Sequence, residues 1–524
     1  MPLVMPGEDR SEARRLQRMA EQGQLRRIHQ GIYTDDLVQP IEAITRRELY
    51  ALCALLAPGS IISHRSAIES RPTPGGNYYL TGPYRREIDL PGVRLRIGQG
   101  PGPLDSDIRI PTFGGDAFIS SQARALLENL TSSRGDPAER RTLGTTAVEQ
   151  WLDRFIGRDI SGSINHIRDA ARTIAESLGL SDEFKQLDTT IGALLGTRTA
   201  RLSAPVAIAR AARRPYDSAR LDLFEVLAVE LQQNPLQVPP VDPKADPHLQ
   251  AFVETYFSNY IEGTEFEIKE AHDIVVNGRP MKYREDDSHD ILGTYQAILR
   301  SKQSPIVHAN SEAFLKQLQE WNRRVIESRR DKNPGEFKTE PNRAGQTYFV
   351  SPEMVVGTLM KGYESIMSAA TPANRAALAM FVVAEVHPFT DGNGRTARVA
   401  MNHFLTQAGL TRIIVPTVFR DDYISALKAL SSNAHPVPLV RMLARAARFS
   451  RWLDMTSTAN CFAALTQSKA MERPEVAQLT FDDSHLAVMP QEKTASLGQT
   501  PTLKPAASQR AQPTRRRRSA VRHR

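Results

Sequence analysis

The run Ala376, Ala377, Leu378, Ala379, Met380, Phe381, Val382, Val383 and Ala384 is apolar almost all round, and it gives way at His387-Pro388 to a short stretch holding Gly392 and Gly394. No other feature constrains the fold as strongly. A helix apolar on every face belongs in the middle of a core. Thr371 and Pro372 suit its N-cap and first turn. Pro388 disfavours the α region at the residue before it, so the helix ends and the His387 imidazole falls on the following loop, which Phe389 anchors in the core. The two glycines let the chain turn and expose backbone N–H groups at the start of a second helix, which runs to about Gly409. Such a helix start is an anion site. Arg395, Arg398 and Asn402 recur at i, i+3 and i+7 and are expected on one face, while Ala397, Ala400, Met401, Phe404 and Leu405 face the core.

The whole run from His387 to Arg398 resembles the signature of Fic proteins, HPFx[D/E]GN[G/K]RxxR, at all nine specified positions. The resemblance implies a nucleotidyl transferase that moves AMP from ATP to a protein hydroxyl. Chemistry assigns the parts. His387, with an ordinary pKa of about 6.5, is the expected general base. Asp391 is a hard oxygen ligand suited to Mg²⁺, which needs few carboxylates when phosphates and water complete its octahedron. The backbone donors of Gly392 and Gly394, with Asn393, would stabilise charge at the α-phosphate, and Arg395 and Arg398 would grip the β- and γ-phosphates.

Upstream, Ser258-Asn259-Tyr260-Ile261-Glu262-Gly263 resembles the [S/T]xxxE[G/N] inhibitory motif of Fic proteins whose inhibitory helix precedes the catalytic core. Asp246-Pro247 is expected to start that helix, at about 247–263, and Gly263 to end it. A carboxylate in the last turn opposes the helix dipole, so Glu262 calls for a cationic partner. By resemblance the partner is Arg398, which would then be denied to the γ-phosphate. Between the motifs, residues 334–339 and 345–352 are two extended pieces around a polar turn, expected as a hairpin. In Fic proteins this hairpin is the flap that holds a target segment by strand addition; here Lys338 stands where relatives usually show arginine. A purely structural hairpin is the alternative. Tyr423 is placed like a tyrosine that lines the nucleotide pocket in some relatives, with core packing equally open.

The remainder reads as a multidomain, mainly α chain of 524 residues. Residues 1–130 are expected as an α+β, winged-helix-like region resembling AbiEi-type antitoxins, on Leu25 to Tyr33, Ser63-His64-Arg65-Ser66-Ala67 and Tyr78 to Gly82. That resemblance implies DNA contact through Arg14, Arg15, Arg18, Arg26 and Arg27, with a protein-binding or architectural role as the alternative. A helical bridge at 131–240, an all-α Fic domain with its flap at 241–455, and a largely disordered basic tail at 456–524 complete the expected order. The net charge of +8 is mostly that tail: six arginines from Arg515 to Arg524 leave +2 for the rest. Two cysteines, Cys53 and Cys461, no signal peptide and no long apolar run point to a cytoplasmic protein without a membrane partner. ATP and an unknown target protein are the expected partners, and a homodimer stays open. The rival readings are a DNA-binding regulator whose Fic domain senses nucleotide, a transferase with another donor, and a de-AMPylating enzyme.

Overall fold

The computed structural model describes residues 3–7, 10–157, 162–303, 310–345, 347–482 and 484. In the N-terminal region α1 (Arg10–Glu21) lays Leu16 against Leu25 and Tyr33 of an antiparallel hairpin, β1 (Arg26–His29) and β2 (Ile32–Thr34). Beyond this hairpin the winged-helix expectation fits little of the region. After α2 (Ile41–Arg47) and α3 (Leu49–Leu56) the chain builds a mixed six-stranded sheet from β3 (Ile61–Ile62), β4 (Asn77–Gly82), β5 (Arg86–Leu90), β6 (Val93–Gln99), β7 (Ile108–Thr112) and β8 (Gly115–Ile119). Its order is β5-β6-β4-β3-β8-β7, with β4/β6 and β3/β8 parallel and the other pairs antiparallel. β5 and β6 bury their residues in alternation, as paired strands do, but the parallel partner of β6 is β4, whose distance in sequence hides the pairing.

The sheet is tied to two helices, α4 (His64–Glu69) and α5 (Gln122–Leu130), by buried charge. Arg124 bonds Asp107 at 2.7 Å, Glu128 at 2.8 Å and the carbonyls of Pro101 and Gly102. Glu128 in turn accepts from the His64 backbone N–H and the Ser120 hydroxyl, both at 2.9 Å. His64 and Arg65 are therefore packing and capping residues. Arg26 also turns inward, donating to the carbonyls of Asp36 and Gln39, whereas Arg14, Arg15, Arg18 and Arg27 stay exposed.

Four helices follow, α6 (Thr145–Ile156), α7 (Ser163–Ala175), α8 (Ser181–Leu194) and α9 (Pro205–Ala211), around a core that includes Leu152, Ile167 and Ile191 and is shared with Leu126 and Leu127 of α5. The next, α10 (Ser218–Gln233), falls within the expected bridge yet buries Phe224, Leu227 and Leu231 in the C-terminal core. That core comprises α11 (Pro247–Ile261), α12 (Ile268–Asn277), α13 (Glu285–Gln303), α14 (Ser311–Val325), α15 (Val355–Ser368), α16 (Pro372–Val386), α17 (Asn393–Gln407), α18 (Arg420–Asn433), α19 (Val437–Trp452) and α20 (Thr458–Gln467). α16 is its axis, with every residue from Ala376 to Val383 at 0 % exposure, as the all-round apolar pattern predicts. The Thr371 side chain caps it, accepting from Asn374 N–H at 3.1 Å.

The expected tail boundary at 456 is too early. Cys461 and Leu465 of α20 are buried, and Phe481 packs edge-on against Phe449, so the ordered core extends to Phe481. The six terminal arginines lie outside the described residues. Among the described residues no helix is long and apolar enough to cross a membrane. Replacing Arg124 with alanine leaves Asp107 and Glu128 buried without their cation, and a loss of roughly 3–5 kcal/mol is expected. Urea unfolding of the full chain, followed through the sheet region, measures it; a change within about 0.5 kcal/mol would show that the network adds nothing.

Candidate functional site

The α16–α17 connection brings the site together. His387 caps α16 with its backbone in the left-handed region, φ 51° and ψ 58°, a conformation that glycine normally takes at this position. A non-glycine residue held there is strained, and strain of this kind gathers at sites that need one side chain in one direction. Three asparagines fix the loop. Asn393 accepts from the Phe389 N–H at 2.9 Å and donates to the Phe389 carbonyl at 2.8 Å. Asn322 on α14 donates to the Asp391 carbonyl at 2.9 Å, and Asn342 donates to the carbonyls of Phe389 and His387 at 3.0 and 3.4 Å. The Asn393 side chain is thus a loop clamp, not a group aimed at the anion site. Gly392 takes φ 75° as the N-cap of α17, a turn that a side chain would strain.

The His387 ring stacks on Phe349, centroids 3.8 Å apart, and its Nδ1 lies 3.3 Å from the Ala384 carbonyl. A carbonyl only accepts, so the proton sits on Nδ1 and Nε2 keeps its lone pair. Burial, helped by the nearby Lys338 ammonium, depresses the imidazole pKa to about 4, although the Ala384 hydrogen bond and the carboxylates of Glu262 and Asp391 pull the other way. The ordinary value expected from sequence is thereby corrected: desolvation disfavours the imidazolium. Lys338 is itself buried, with Nζ 2.6 Å from Asn342 Oδ1 and 3.4 Å from the Val386 carbonyl. Burial and Arg220 lower its pKa to about 7.

Opposite the loop, α11 begins at the Asp246 cap and Pro247 and ends at Glu262 and Gly263, the bounds read from sequence. Its last turn meets α17. Arg398 Nε donates to the Ser258 hydroxyl at 3.0 Å, and Nη2 donates to the Ser258 carbonyl at 2.9 Å and to Glu262 Oε1 at 2.6 Å. Burial pushes the Glu262 carboxyl up, but the Arg398 charge and hydrogen bond outweigh it, and the pKa ends below the usual value. The carboxylate lies directly on the start of α17: a Cβ on Gly394 would stand 2.2 Å from Glu262 Oε1. Only glycine admits that approach.

Arg395 points elsewhere. It pairs with the buried Asp290 of α13 at 2.7 Å, reaches Asn259 Oδ1 at 3.2 Å and stands 3.8 Å from Asp391. Arg329 shares Asp290 at 2.7 Å. Asn402, expected on the arginine face, instead holds the Ile413 backbone, accepting from its N–H at 2.7 Å and donating to its carbonyl at 2.9 Å. Seven residues on, the helix is about 20° short of two full turns, so Asn402 keeps nearly the same face but lies about 10 Å further along the axis, beside the loop after α17. Asp391 accepts from the Gly392 N–H at 2.6 Å and keeps 36 % of its side chain exposed. Among the described residues no group of three or more His, Cys, Asp or Glu is placed to hold a metal.

A cavity of about 230 Å³ opens beside these groups, lined by Glu262, His387, Gly394, Arg398, Tyr423 and Thr347 among others. Tyr423 is 2 % exposed, with Arg398 above its ring at 5.8 Å, so it both packs and borders the cavity. The hairpin at its rim is shorter than expected. β9 (Arg343–Ala344) pairs with β10 (Thr347–Tyr348), while Phe337, expected in the first arm, bridges to Phe389 in the loop.

Residues 312–405 match the sequence profile of the Fic/DOC family. This segment belongs to that family. Curated relatives include protein adenylyltransferase fic-1 of Caenorhabditis elegans, 28 % identical over 199 residues, covering 37 % of this chain and 39 % of the relative. The protein adenylyltransferase Fic of Drosophila virilis is 31 % identical, covering 37 % and 40 %; that of Drosophila erecta is 29 % identical over 260 residues, covering 46 % and 52 %. The chain thus spans about two-fifths to half of the relatives' length. Among solved structures, Fic-1 from C. elegans is 20 % identical with a TM-score of 0.34, over 62 % of this chain and 94 % of that one. A Fic-domain signaling protein from Bacteroides thetaiotaomicron gives 20 % and 0.34, over 44 % and 95 %.

Sequence reading missed Asp290, Asn322 and Asn342. Each acts on the Fic loop from a distant element, and no local spacing marks it. Because the Lys338 ammonium disfavours a second charge nearby, Lys338→Gln is expected to raise the His387 pKa above its depressed value. A ring-proton NMR titration of His387 between pH 3 and 8 checks this; an unchanged or lower pKa would remove Lys338 from the account.

Proposed function

We propose that this Fic/DOC protein is an adenylyltransferase restrained by its own Glu262. The observation that carries the reading is the Glu262–Arg398 ion pair, which places a carboxylate on the N-terminal turn of α17 beside Gly394. That turn, with free N–H groups and a positive dipole end, is where phosphates bind. A carboxylate there occupies an anion's place and its arginine together.

With Glu262 displaced, Arg398 is freed for the terminal phosphate, and the backbone of Gly392 to Gly394 faces the α-phosphate. The acceptor hydroxyl attacks the α-phosphorus; the bond to the bridging oxygen of the β-phosphate breaks and pyrophosphate leaves. The hydroxyl proton passes to His387 Nε2, which the Ala384 contact leaves as the lone-pair nitrogen. Burial keeps the imidazole neutral down to about pH 4, so Nε2 is unprotonated throughout the neutral range. Asp391 fits a divalent cation such as Mg²⁺, being a partly exposed single carboxylate beside the proposed phosphate site, where the ion would neutralise phosphate charge. The flap hairpin would present the target.

The test is transfer of label from α-labelled ATP to protein. Glu262→Gly is expected to raise labelling about tenfold or more, equivalent to about 1.4 kcal/mol of barrier. His387→Ala in that background abolishes it while ATP still binds, and Arg398→Ala also stays inactive because that arginine serves ATP once the inhibitor is gone. Unchanged or lower labelling in a folded Glu262→Gly chain would refute the restraint.

A second reading, nucleic-acid contact by the N-terminal region, rests on the exposed Arg14, Arg15 and Arg18 of α1 with Arg27 beside them. Reversing the charge of Arg14, Arg15 and Arg18 in the full chain should weaken duplex DNA binding and flatten its salt dependence by about one unit of slope for each phosphate no longer neutralised. No binding by the unaltered chain at low salt would exclude it.

A further inference from the structure

α10 reaches the Fic site through a residue outside the segment that matches the family. Arg220 on α10 spans two parts of the site: one guanidinium nitrogen pairs with Glu385 near the C-terminus of α16, and Nη2 donates to the Tyr348 carbonyl of β10 at 2.6 Å. Glu385 is buried, with its other oxygen taken by the Ser431 hydroxyl of α18. The Tyr348 carbonyl is the right acceptor for hairpin reasons. Ala344 and Thr347 flank the turn and form one cross-strand pair, and Phe349 N–H donates to the Asn342 carbonyl at 3.3 Å in the pair two positions on. The Arg343–Tyr348 pair between them is the non-hydrogen-bonded kind, whose N–H and C=O groups point away from the partner strand. A two-stranded hairpin with two residues in each strand is marginal alone and needs an outside brace.

We infer that Arg220 is a positioning residue that holds the flap against the helix carrying His387, so that the upstream helical region sets how a polypeptide acceptor is presented. The inference rests on the adenylyl-transfer reading for its consequence, not for its geometry. The planar fork of arginine matches two acceptors at a fixed angle; lysine, a point charge, reaches one of them. Phe349, one residue beyond Tyr348, stacks on His387, so slack in β10 displaces an acceptor held by the flap relative to the base, which the loop's own asparagines keep in place.

Hydrogen exchange on the full chain tests the brace. Arg220→Ala should speed exchange in peptides covering the flap strands by about tenfold, with the loop from His387 to Gly394 changing less than about twofold; Arg220→Lys should fall between. Flap exchange within about twofold of the unaltered chain overturns the inference, and so does an equal rise across α16 and α17, which would mark Arg220 as a general stabiliser. The chemical arm uses the Glu262→Gly chain, with the full-length His387→Ala chain in excess as acceptor. Adding Arg220→Ala should lower the ratio of labelled polypeptide to AMP released into water about tenfold, because water needs no flap. A ratio unchanged overturns the inference. Absence of both products in the Glu262→Gly chain is instead the failure of the transfer reading, and the exchange result by itself then decides whether Arg220 braces the flap.

Discussion

Arg398 is a guanidinium with almost no exposure, and a buried cation must be paired. In this chain three of its hydrogen bonds go to one short segment, the Ser258 hydroxyl and carbonyl and the Glu262 carboxylate, and Tyr423 flanks it on α18. The pairing decides much else. It draws the last turn of α11 onto the first turn of α17, requires glycine at 394, and leaves the cavity bounded by a carboxylate on the side where an anion would sit. Burial works against both charges, and their mutual attraction restores each of them. A competitor for Arg398 must therefore bring comparable negative charge, which a polyphosphate does.

A second constraint acts on the loop before α17. Pro388 disfavours the right-handed region at His387, and the chain answers with a left-handed residue that still closes α16 through its N–H to the Val383 carbonyl. Such a conformation persists only when its surroundings over-determine it. Asn393, Asn322 and Asn342 supply that from the loop itself, from α14 and from the approach to the flap. The imidazole is consequently held between the Ala384 carbonyl and the Phe349 ring, neutral and with one nitrogen committed. Arg395 shows the opposite use of charge: Asp290 and Asn259 already engage it, so the two arginines of the motif differ in how readily a ligand can claim them.

Much of the site was legible because its determinants are local. The apolar run of α16, the Thr371-Pro372 start, the His387-Pro388 stop and the glycines at 392 and 394 lie close in sequence and act through backbone preference and periodicity. The Asp246-Pro247 start and Gly263 stop of α11 were legible for the same reason. The register of the hairpin was not, because Phe337 pairs with Phe389, a contact that no pattern within residues 334–352 encodes. The N-terminal sheet was hidden similarly: β6 alternates like any amphipathic strand, but its parallel neighbour β4 is reached only after β5 intervenes.

What the sequence determined by itself is the chemistry set: a histidine, a carboxylate, a glycine-edged helix start and two arginines at fixed helical spacing, with a serine and a glutamate waiting at another helix end. Those depend on covalent order and on short-range sterics, which a string of residues carries in full. Tertiary structure decided which charges meet. Arg398 rather than Arg395 takes Glu262, Asp290 holds Arg395, Lys338 and burial move the His387 pKa far from its ordinary value, and Arg220 arrives from α10 to brace β10. Pairing and desolvation energies depend on separation in space and on the surrounding dielectric, and neither exists until the chain has packed.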